Sequence, residues 1–170
     1  NLSCIKTTGT GVIYGIYNGA SPTNENYNNN TIYSLTHAGT GTVYGIYAST
    51  TTGSRTMYGN TIYSLSTGGT TIAGINNVSS SPNVYKNKVY DIQSTSIGSP
   101  TVSGILQGSM GTAGYSYIYN NYISDLRAPS ASNVDAIKGI NITGTTTNTT
   151  IGVYYNSIYL NASSTGANFG

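Results

Sequence analysis

Charged residues are the scarcest feature of this chain of 170 residues: Lys and Arg number six, Asp and Glu four, and together they make up 6%. A soluble domain usually carries about 25% charged residues. A nucleic-acid surface needs clustered Lys and Arg, which this sequence lacks, so we expect no nucleic-acid partner. The strong helix formers Ala, Leu, Glu, Lys and Arg are also few, and their scarcity excludes an α-rich fold.

Cysteine and histidine occur once each, as Cys4 and His37. One cysteine excludes an internal disulfide and a cysteine-based zinc site, and one histidine adds nothing to metal binding. No stretch approaches the roughly 18 consecutive apolar residues of a membrane-spanning helix. The sequence therefore predicts no metal, no cofactor and no membrane span.

Asn, Gly, Ser and Thr instead fill more than half of the chain, and 17 residues are Tyr. Disordered chains are polar too, but they are poor in aromatic and β-branched residues and usually highly charged. The abundant Tyr, Thr, Ile and Val are residues that favour β-strands. The composition therefore predicts an ordered all-β protein.

An Asn-centred frame recurs five times along the chain. It reads apolar-x-x-Asn-x-aliphatic, and its Asn residues are separated by 30, 27, 34 and 35 positions. The Asn residues of this frame are Asn30, Asn60, Asn87, Asn121 and Asn156. We call them the corner Asn residues, because Asn tolerates the left-handed backbone conformation of a sharp bend. Their stacked amides are expected to form one internal hydrogen-bonded ladder.

A second frame, aliphatic-x-Gly-Ile, alternates with the first. Its glycines are separated by 30, 29, 30 and 35 positions and are Gly15, Gly45, Gly74, Gly104 and Gly139. We expect each to mark a second bend or bulge where a side chain would not fit. Segments rich in Gly, Ser and Thr vary in length between the frames and are typical of loops.

The two frames define three short strands per repeat, with no helical pattern between them. A repeat of about 30 residues with three strands predicts a parallel β-solenoid, in which every coil pairs with the previous one. Residues 1–170 are expected to form a single solenoid segment of about five coils. The coils are predicted near residues 11–35, 41–65, 70–92, 101–126 and 135–160.

The repeat resembles the right-handed parallel β-helix of the pectate-lyase-like superfamily, through its Gly-Ile strand and its apolar-x-x-Asn-x-Ile corner. The Thr-, Asn- and Tyr-rich composition is also similar to that of repetitive surface proteins secreted by Bacteroidota. The first resemblance implies a right-handed helix and raises the hypothesis of polysaccharide cleavage on its outer face. The second implies an extracellular or cell-surface location.

Tyrosines recur at two positions beside the corner Asn. Three residues after it stand Tyr33, Tyr63, Tyr90 and Tyr159, and two residues before it stand Tyr58, Tyr85, Tyr119 and Tyr154. Both positions neighbour an inward aliphatic residue, so both sets are expected to face outward. Such rows stabilise successive coils by stacking, and they are also candidates for a flat face that packs against sugar rings or other molecules.

Few acidic residues are placed for catalysis. Asp91 and Asp125 follow the corner Asn at the same position in adjacent coils. Such residues lie roughly 5 Å apart at ordinary strand spacing. We expect a solvated pair that binds a cation weakly at most. Asp135 and Lys138 are expected to lie together on the Gly-frame strand. Beyond Asp91 and Asp125 no carboxylates converge as polysaccharide cleavage requires, so no catalytic, cofactor or metal residue is assigned.

These observations predict a non-enzymatic structural or adhesive shaft segment of an extracellular surface protein or filament. The alternative is a carbohydrate-binding or polysaccharide-cleaving β-helix whose catalytic coils lie outside this chain. The expected partnership is self-association, end to end or by lateral packing, with polysaccharide as a further partner. Leu2 and Ile5 repeat the spacing of Ile32 and Leu35, so we expect the chain to be a window of a longer repeat protein.

Overall fold

The computed structural model of the chain describes residues 5–20, 22–49, 53–78, 81–108, 114–144 and 149–169. Leu2 lies outside the described residues, whereas Ile5 pairs with Leu35. The described residues form seventeen β-strands and no helix: β1 (Ile5–Thr7), β2 (Ile13–Asn18), β3 (Asn24–Asn28), β4 (Thr31–His37), β5 (Val43–Ala48), β6 (Ser54–Tyr58), β7 (Thr61–Thr67), β8 (Thr71–Asn77), β9 (Ser81–Tyr85), β10 (Lys88–Ser94), β11 (Thr101–Gln107), β12 (Gly114–Tyr119), β13 (Tyr122–Ser124), β14 (Leu126–Arg127), β15 (Ile137–Ile142), β16 (Thr149–Tyr154) and β17 (Ser157–Tyr159).

The strands assemble into three parallel sheets. Sheet A runs β1-β4-β7-β10-β13-β17 with β14 also on β10, sheet B runs β2-β5-β8-β11-β15, and sheet C runs β3-β6-β9-β12-β16. Sheet neighbours are mostly three strands apart in the chain, so each coil passes once through sheets B, C and A. The fold is therefore an all-β parallel β-solenoid with three sheets per coil, which confirms the fold class predicted from the repeat.

The interior is a stack of aliphatic side chains at equivalent positions of successive coils. Each coil contributes two residues from sheet B, one from sheet C and two from sheet A. In the three central coils these residues are 0–1% exposed: Val43, Ile46, Met57, Ile62 and Leu65, then Ile72, Ile75, Val84, Val89 and Ile92, then Val102, Ile105, Ile118, Ile123 and Leu126. Burying each such side chain contributes roughly 1.5–3 kcal/mol, so this column is the main stabilising element of the fold.

The corner between sheets C and A is a two-residue turn in every coil. Its left-handed residue is not the corner Asn, as the sequence suggested, but the residue before it. These left-handed residues are Asn29, Gly59, Lys86, Asn120 and Tyr155, with φ between 52° and 64°. None of the five corner Asn residues has a left-handed φ. The predicted bend is present at the corner, but its left-handed residue lies one position before the Asn.

A second left-handed column lies within sheet A and has no counterpart in the sequence analysis. Ser34, Ser64, Asp91 and Asp125 have φ of 56°, 54°, 55° and 48°. Strand pairing skips this position, as between Tyr33 and Leu35 of β4. The resulting bend lets Ile32 and Leu35, three residues apart, both point into the interior.

The Gly-frame glycines lie inside the strands of sheet B, where residue pairing is interrupted. A Cβ on Gly74 would lie 2.4 Å from Cγ1 of Val89 and 2.9 Å from the carbonyl oxygen of Gly104. A Cβ added to any of the other four glycines would lie 2.5–2.8 Å from the equivalent aliphatic side chain of sheet A. Sheets A and B therefore approach so closely that no side chain fits between them at this position.

Candidate functional site

The five corner Asn side chains form one column along the solenoid axis. Nδ2 of Asn30, Asn60, Asn87 and Asn121 donates to Oδ1 of the corner Asn in the next coil at 2.9, 2.9, 3.0 and 2.9 Å. Their backbone N–H groups donate to the same oxygen atoms at 3.0–3.1 Å. Oδ1 of each of the last four corner Asn residues thus accepts two hydrogen bonds from the coil before it.

The second N–H of the last four amides is used as well. Nδ2 of Asn60, Asn87, Asn121 and Asn156 donates at 2.9 Å to a backbone carbonyl of the previous coil. Every hydrogen-bonding group of a central amide therefore has a partner, as burial demands. Asn60, Asn87 and Asn121 are at most 2% exposed. The sequence-predicted residues thus meet in one fully bonded amide column.

Three of the four tyrosines that follow the corner Asn stack on the outer side of sheet A. Tyr33 and Tyr63 have ring centroids 5.2 Å apart, and Tyr63 and Tyr90 are 5.1 Å apart, with interplanar angles of 6° and 3°. Nζ of Lys88 lies 5.0 Å from the Tyr90 ring, within cation–π distance. Tyr159 lies apart from this stack because its strand partner is Ser124.

The four tyrosines that precede the corner Asn form a longer stack on sheet C. Their order is Tyr58, Tyr85, Tyr119 and Tyr154, with centroid distances of 5.1, 4.8 and 5.1 Å and interplanar angles of 6–10°. Burial, followed by the charges of its two neighbours, raises the pKa of Tyr119. In the first coil Asn28 takes the tyrosine position and donates to the Tyr58 hydroxyl at 3.1 Å.

Within each of these two stacks, the faces of neighbouring rings cover one another. Nearly parallel rings about 5 Å apart are in offset stacking contact. What they present to solvent is therefore ring edges and hydroxyl groups, one per coil. This geometry favours stabilisation of the coils over the stacking of sugar rings on these particular tyrosines.

A different aromatic arrangement, which the sequence analysis did not single out, lies on sheet B. Tyr14 and Tyr17 of β2 and Tyr44 and Tyr47 of β5 form a block two rings wide and two coils high. Its centroid distances are 4.8 Å for Tyr14–Tyr17, 5.0 Å for Tyr44–Tyr47, 5.9 Å for Tyr14–Tyr44, 5.7 Å for Tyr17–Tyr47 and 5.1 Å for Tyr14–Tyr47. We call these four residues the tyrosine patch. Its sequence signal is the repeated Tyr-Gly-Ile-Tyr at 14–17 and 44–47.

Burial raises the pKa of both Tyr14 and Tyr44, and the neighbouring Tyr47 raises each further. The side chain of Asn76 opposes this rise in the pKa of Tyr44. Both phenols are therefore neutral and protonated over the whole physiological pH range.

Asp91 and Asp125 do not form an isolated acidic pair. Arg127, which the sequence analysis left unassigned, forms an ion pair with Asp91 and places its Nε 3.2 Å from Oδ1 of Asp125. Asp91 also accepts a hydrogen bond from the Ser64 hydroxyl at 2.5 Å. These side chains line a surface cavity of about 260 Å³ together with Ser34, Thr36, Leu65, Ser66 and Gln93. Both carboxylates are thus held by structural contacts.

Asp135 and Lys138 do not share a strand, because Asp135 lies in the turn before β15. Among the described residues, no three His, Cys, Asp or Glu side chains are grouped as a metal site would require. The same residues include no helix with the length and apolar character of a membrane span.

A buried ion pair between the first two coils has no counterpart among the sequence predictions. Glu25 and Arg55 are paired across sheet C, and Nε of Arg55 donates to Oε2 of Glu25 at 2.7 Å. The Tyr27 hydroxyl and Nδ2 of Asn18 donate to the same carboxylate at 2.5 Å each. The alternation that buries Tyr27 also points Glu25 inward, so the signal was present in the sequence.

Comparison with known proteins adds no relative to this chain: no protein-family model matches it, and neither does any curated protein or solved structure.

Proposed function

We propose that this chain is a non-enzymatic structural and adhesive shaft segment of an extracellular surface protein or filament. The observation that carries the proposal is the amide column, which runs without a break from Asn30 to Asn156. Its side-chain hydrogen bonds are parallel to the axis, as are the backbone hydrogen bonds between coils. A load along the axis is therefore distributed over the three sheets and the column together.

The state of three of the four acidic residues also supports a structural role. General acid–base chemistry on a polysaccharide needs a carboxyl group that is free to exchange a proton with the substrate. Asp91 and Asp125 are engaged by Arg127, and Glu25 is buried in contact with Arg55. The proposal therefore assigns these carboxylates to holding coils together.

Self-association and the closer resemblances belong to the same proposal. A surface with 6% charged residues and many tyrosines has little electrostatic protection against lateral packing. A filament of such solenoids lengthens by about 4.8 Å per coil. The proposal includes the right-handed, pectate-lyase-like form of the helix and a Bacteroidota-like surface location.

The location is tested by immunogold electron microscopy of the producing cells with an antibody against this chain. We expect gold particles on surface fibres or on an outer layer, and label confined to the cell interior would contradict the proposal. The non-enzymatic part is tested by incubating the protein with polygalacturonate, with and without calcium. Turnover that disappears in Asp91→Asn or Asp125→Asn would favour the polysaccharide-cleaving alternative.

A further inference from the structure

The sequence contains a single Asn-Gly step, Asn18–Gly19, at the point where β2 leaves sheet B. Glycine has no side chain to shield its peptide nitrogen, so this nitrogen can approach the amide of the preceding Asn closely. Gly19 and Ala20 are exposed, and Asn18 is half-buried. The step is therefore open to the water that conversion of an amide to an acid consumes.

The Asn18 side chain is folded toward this nitrogen. Its Oδ1 accepts a hydrogen bond from the backbone N–H of Ala20 at 2.7 Å, which closes a turn over the Gly19 peptide group. The same N–H polarises the side-chain carbonyl and stabilises the negative charge that develops on Oδ1 when a nucleophile attacks Cγ. The turn thus both positions and activates the amide.

A second Asn at the equivalent position provides an internal comparison. Asn18 is in register with Ala48, and Ala48 with Asn77, so Asn77 occupies the same place two coils further on. Asn77 is 0% exposed and is followed by Val78, whose branched side chain shields the peptide nitrogen. Of these two equivalent amides, only that of Asn18 combines exposure with a following glycine.

The amide of Asn18 also belongs to the junction between the first two coils. Its Nδ2 donates to Oε1 of Glu25 at 2.5 Å, and the same carboxylate accepts from the Tyr27 hydroxyl and from Nε of Arg55 in the second coil. Glu25 is only 8% exposed. A carboxylate in place of the amide would remove one donor and set a like charge against Glu25, which a buried site tolerates poorly.

We propose that Asn18–Gly19 is a site of spontaneous deamidation that loosens the junction of the first two coils. The Gly19 nitrogen loses its proton to water and forms a bond to Cγ of Asn18. The Cγ–Nδ2 bond breaks, ammonia leaves and a five-membered imide remains. Water then opens the imide at either carbonyl, which gives aspartate or isoaspartate at position 18. The net change is one water consumed and one ammonia released, with no oxidant or reductant.

Both products act on the same contact. Each carries a carboxylate that cannot donate to Glu25, and isoaspartate also lengthens the backbone between β2 and β3 by one carbon. The modification therefore gives the first coil a chemical clock, in which the hold on the second coil weakens with the age of the chain. This inference goes beyond the proposed shaft function and does not depend on it.

The reaction is tested by incubating the intact folded chain at mildly alkaline pH and mapping its peptides by mass spectrometry at intervals. We expect Asn18 to convert at least about tenfold faster than Asn26, which is exposed on β3 but is followed by Tyr. Buried Asn77 should stay unchanged over the same period. Retention of Asn18 for as long as Asn26 would overturn the proposal, and so would conversion that occurs only in urea-unfolded chain.

Gly19→Ala is the protective variant, expected to slow conversion of Asn18 about tenfold. Its Cβ would lie 2.4 Å from the hydroxyl oxygen of Tyr17, the far end of a 55% exposed side chain that is free to move. During incubation the melting temperature of the native chain should fall as Asn18 converts, whereas that of Gly19→Ala should stay constant. Parallel losses in the two chains would contradict the assignment.

The effect on the junction is tested by Asn18→Asp, with Asn26→Asp as the matched control. Asn18→Asp should lower the melting temperature by about 2–8 °C. Asn26→Asp adds the same charge on the opposite, exposed face of β3 and should change it by at most about 2 °C. The deficit of Asn18→Asp should narrow near about pH 4, where protonation of the new carboxyl restores a donor.

Equal melting temperatures of Asn18→Asp and Asn26→Asp would refute the loosening of the junction. Immunogold labelling of cells is independent of these measurements, so the shaft proposal and the deamidation site fail separately.

Discussion

Replacing Asn87 by Leu is the sharpest perturbation of the amide column, because Asn87 lies at its centre and is 1% exposed. Its Oδ1 accepts from both the backbone N–H and Nδ2 of Asn60. Its own Nδ2 donates to Asn121 Oδ1 and to the carbonyl oxygen of Met57. Leu has a similar size and removes all four hydrogen bonds while leaving the aliphatic interior intact.

The magnitude follows from the groups that lose a partner. Two buried donors of Asn60 are orphaned, and each costs about 1–3 kcal/mol. The two acceptors, on Met57 and Asn121, lose one bond each and matter less, because a carbonyl oxygen has a second lone pair. Burial of the Leu side chain returns roughly 1.5 kcal/mol. We therefore expect Asn87→Leu to lower the free energy of unfolding by about 0.5–4.5 kcal/mol.

The assay is urea unfolding followed by far-ultraviolet circular dichroism, with Asn83→Leu as the matched control. Asn83 lies four residues earlier, on the half-exposed face of β9, and its replacement should change the free energy of unfolding by at most about 0.5 kcal/mol. Asn87→Asp separates shape from bonding, because it keeps the acceptors and loses both amide donors. Its destabilisation should be larger at neutral pH than in acid, since a protonated carboxyl regains one donor. Equal stability of Asn87→Leu and Asn83→Leu would refute the column as a stabilising element.

Three further perturbations test other parts of the solenoid. Gly104→Ala should lower the free energy of unfolding by about 1–3 kcal/mol, because the new Cβ would lie 2.5 Å from Ile123. The control is Gly98→Ala, which should leave the free energy of unfolding unchanged because no atom lies within 4 Å of the added Cβ. Equal melting temperatures of the two variants would contradict the close approach of sheets A and B. Lys86→Gly should raise the melting temperature, because a φ of 54° strains a residue with a side chain by roughly 1–2 kcal/mol and Gly relieves that strain. The greater flexibility of Gly in the unfolded chain offsets only part of this gain. A lower melting temperature of Lys86→Gly would contradict the prediction. Burial, reinforced by its hydrogen bond to the Glu25 carboxylate, raises the pKa of Tyr27 from 10.0 to about 12. The folded state therefore binds more protons above pH 10, so this contribution to stability is complete below pH 10 and is lost as pH rises toward about 12. Tyr27→Phe should therefore lose less stability than the native chain between pH 10 and about 12, as measured by circular dichroism. An identical pH profile of the two chains would contradict this prediction.

The sequence predicted the repeat, the three strands per coil and the inward aliphatic positions, because these depend on residue types that recur at fixed intervals. It did not predict the left-handed column at Ser34, Ser64, Asp91 and Asp125. Ser and Asp at those positions match ordinary exposed strand residues as well as a bend. Only the simultaneous burial of Ile32 and Leu35 reveals that the chain must turn between them.

The ionic contacts escaped prediction for a related reason. Glu25 and Arg55 stand 30 positions apart and each is isolated in its own segment, so their partnership exists only after the coils are stacked. Arg127 likewise reaches Asp91 of the previous coil, 36 positions away. Residue pairs of this kind depend on register, and register is determined by the strands around them rather than by the charged residues themselves.

The corner between sheets C and A is the element that determines this register. In every coil two residues separate the strand of sheet C from the strand of sheet A, as at Asn29 and Asn30 between β3 and β4. The connections from sheet A to sheet B vary instead, from three residues after β7 to nine after β14. A corner that carries a buried amide cannot absorb an insertion, because a displaced Asn would leave donors unpaired in both neighbouring coils. Insertions therefore accumulate in the other connections, and the amide column stays continuous although the repeat length varies from 27 to 35 residues.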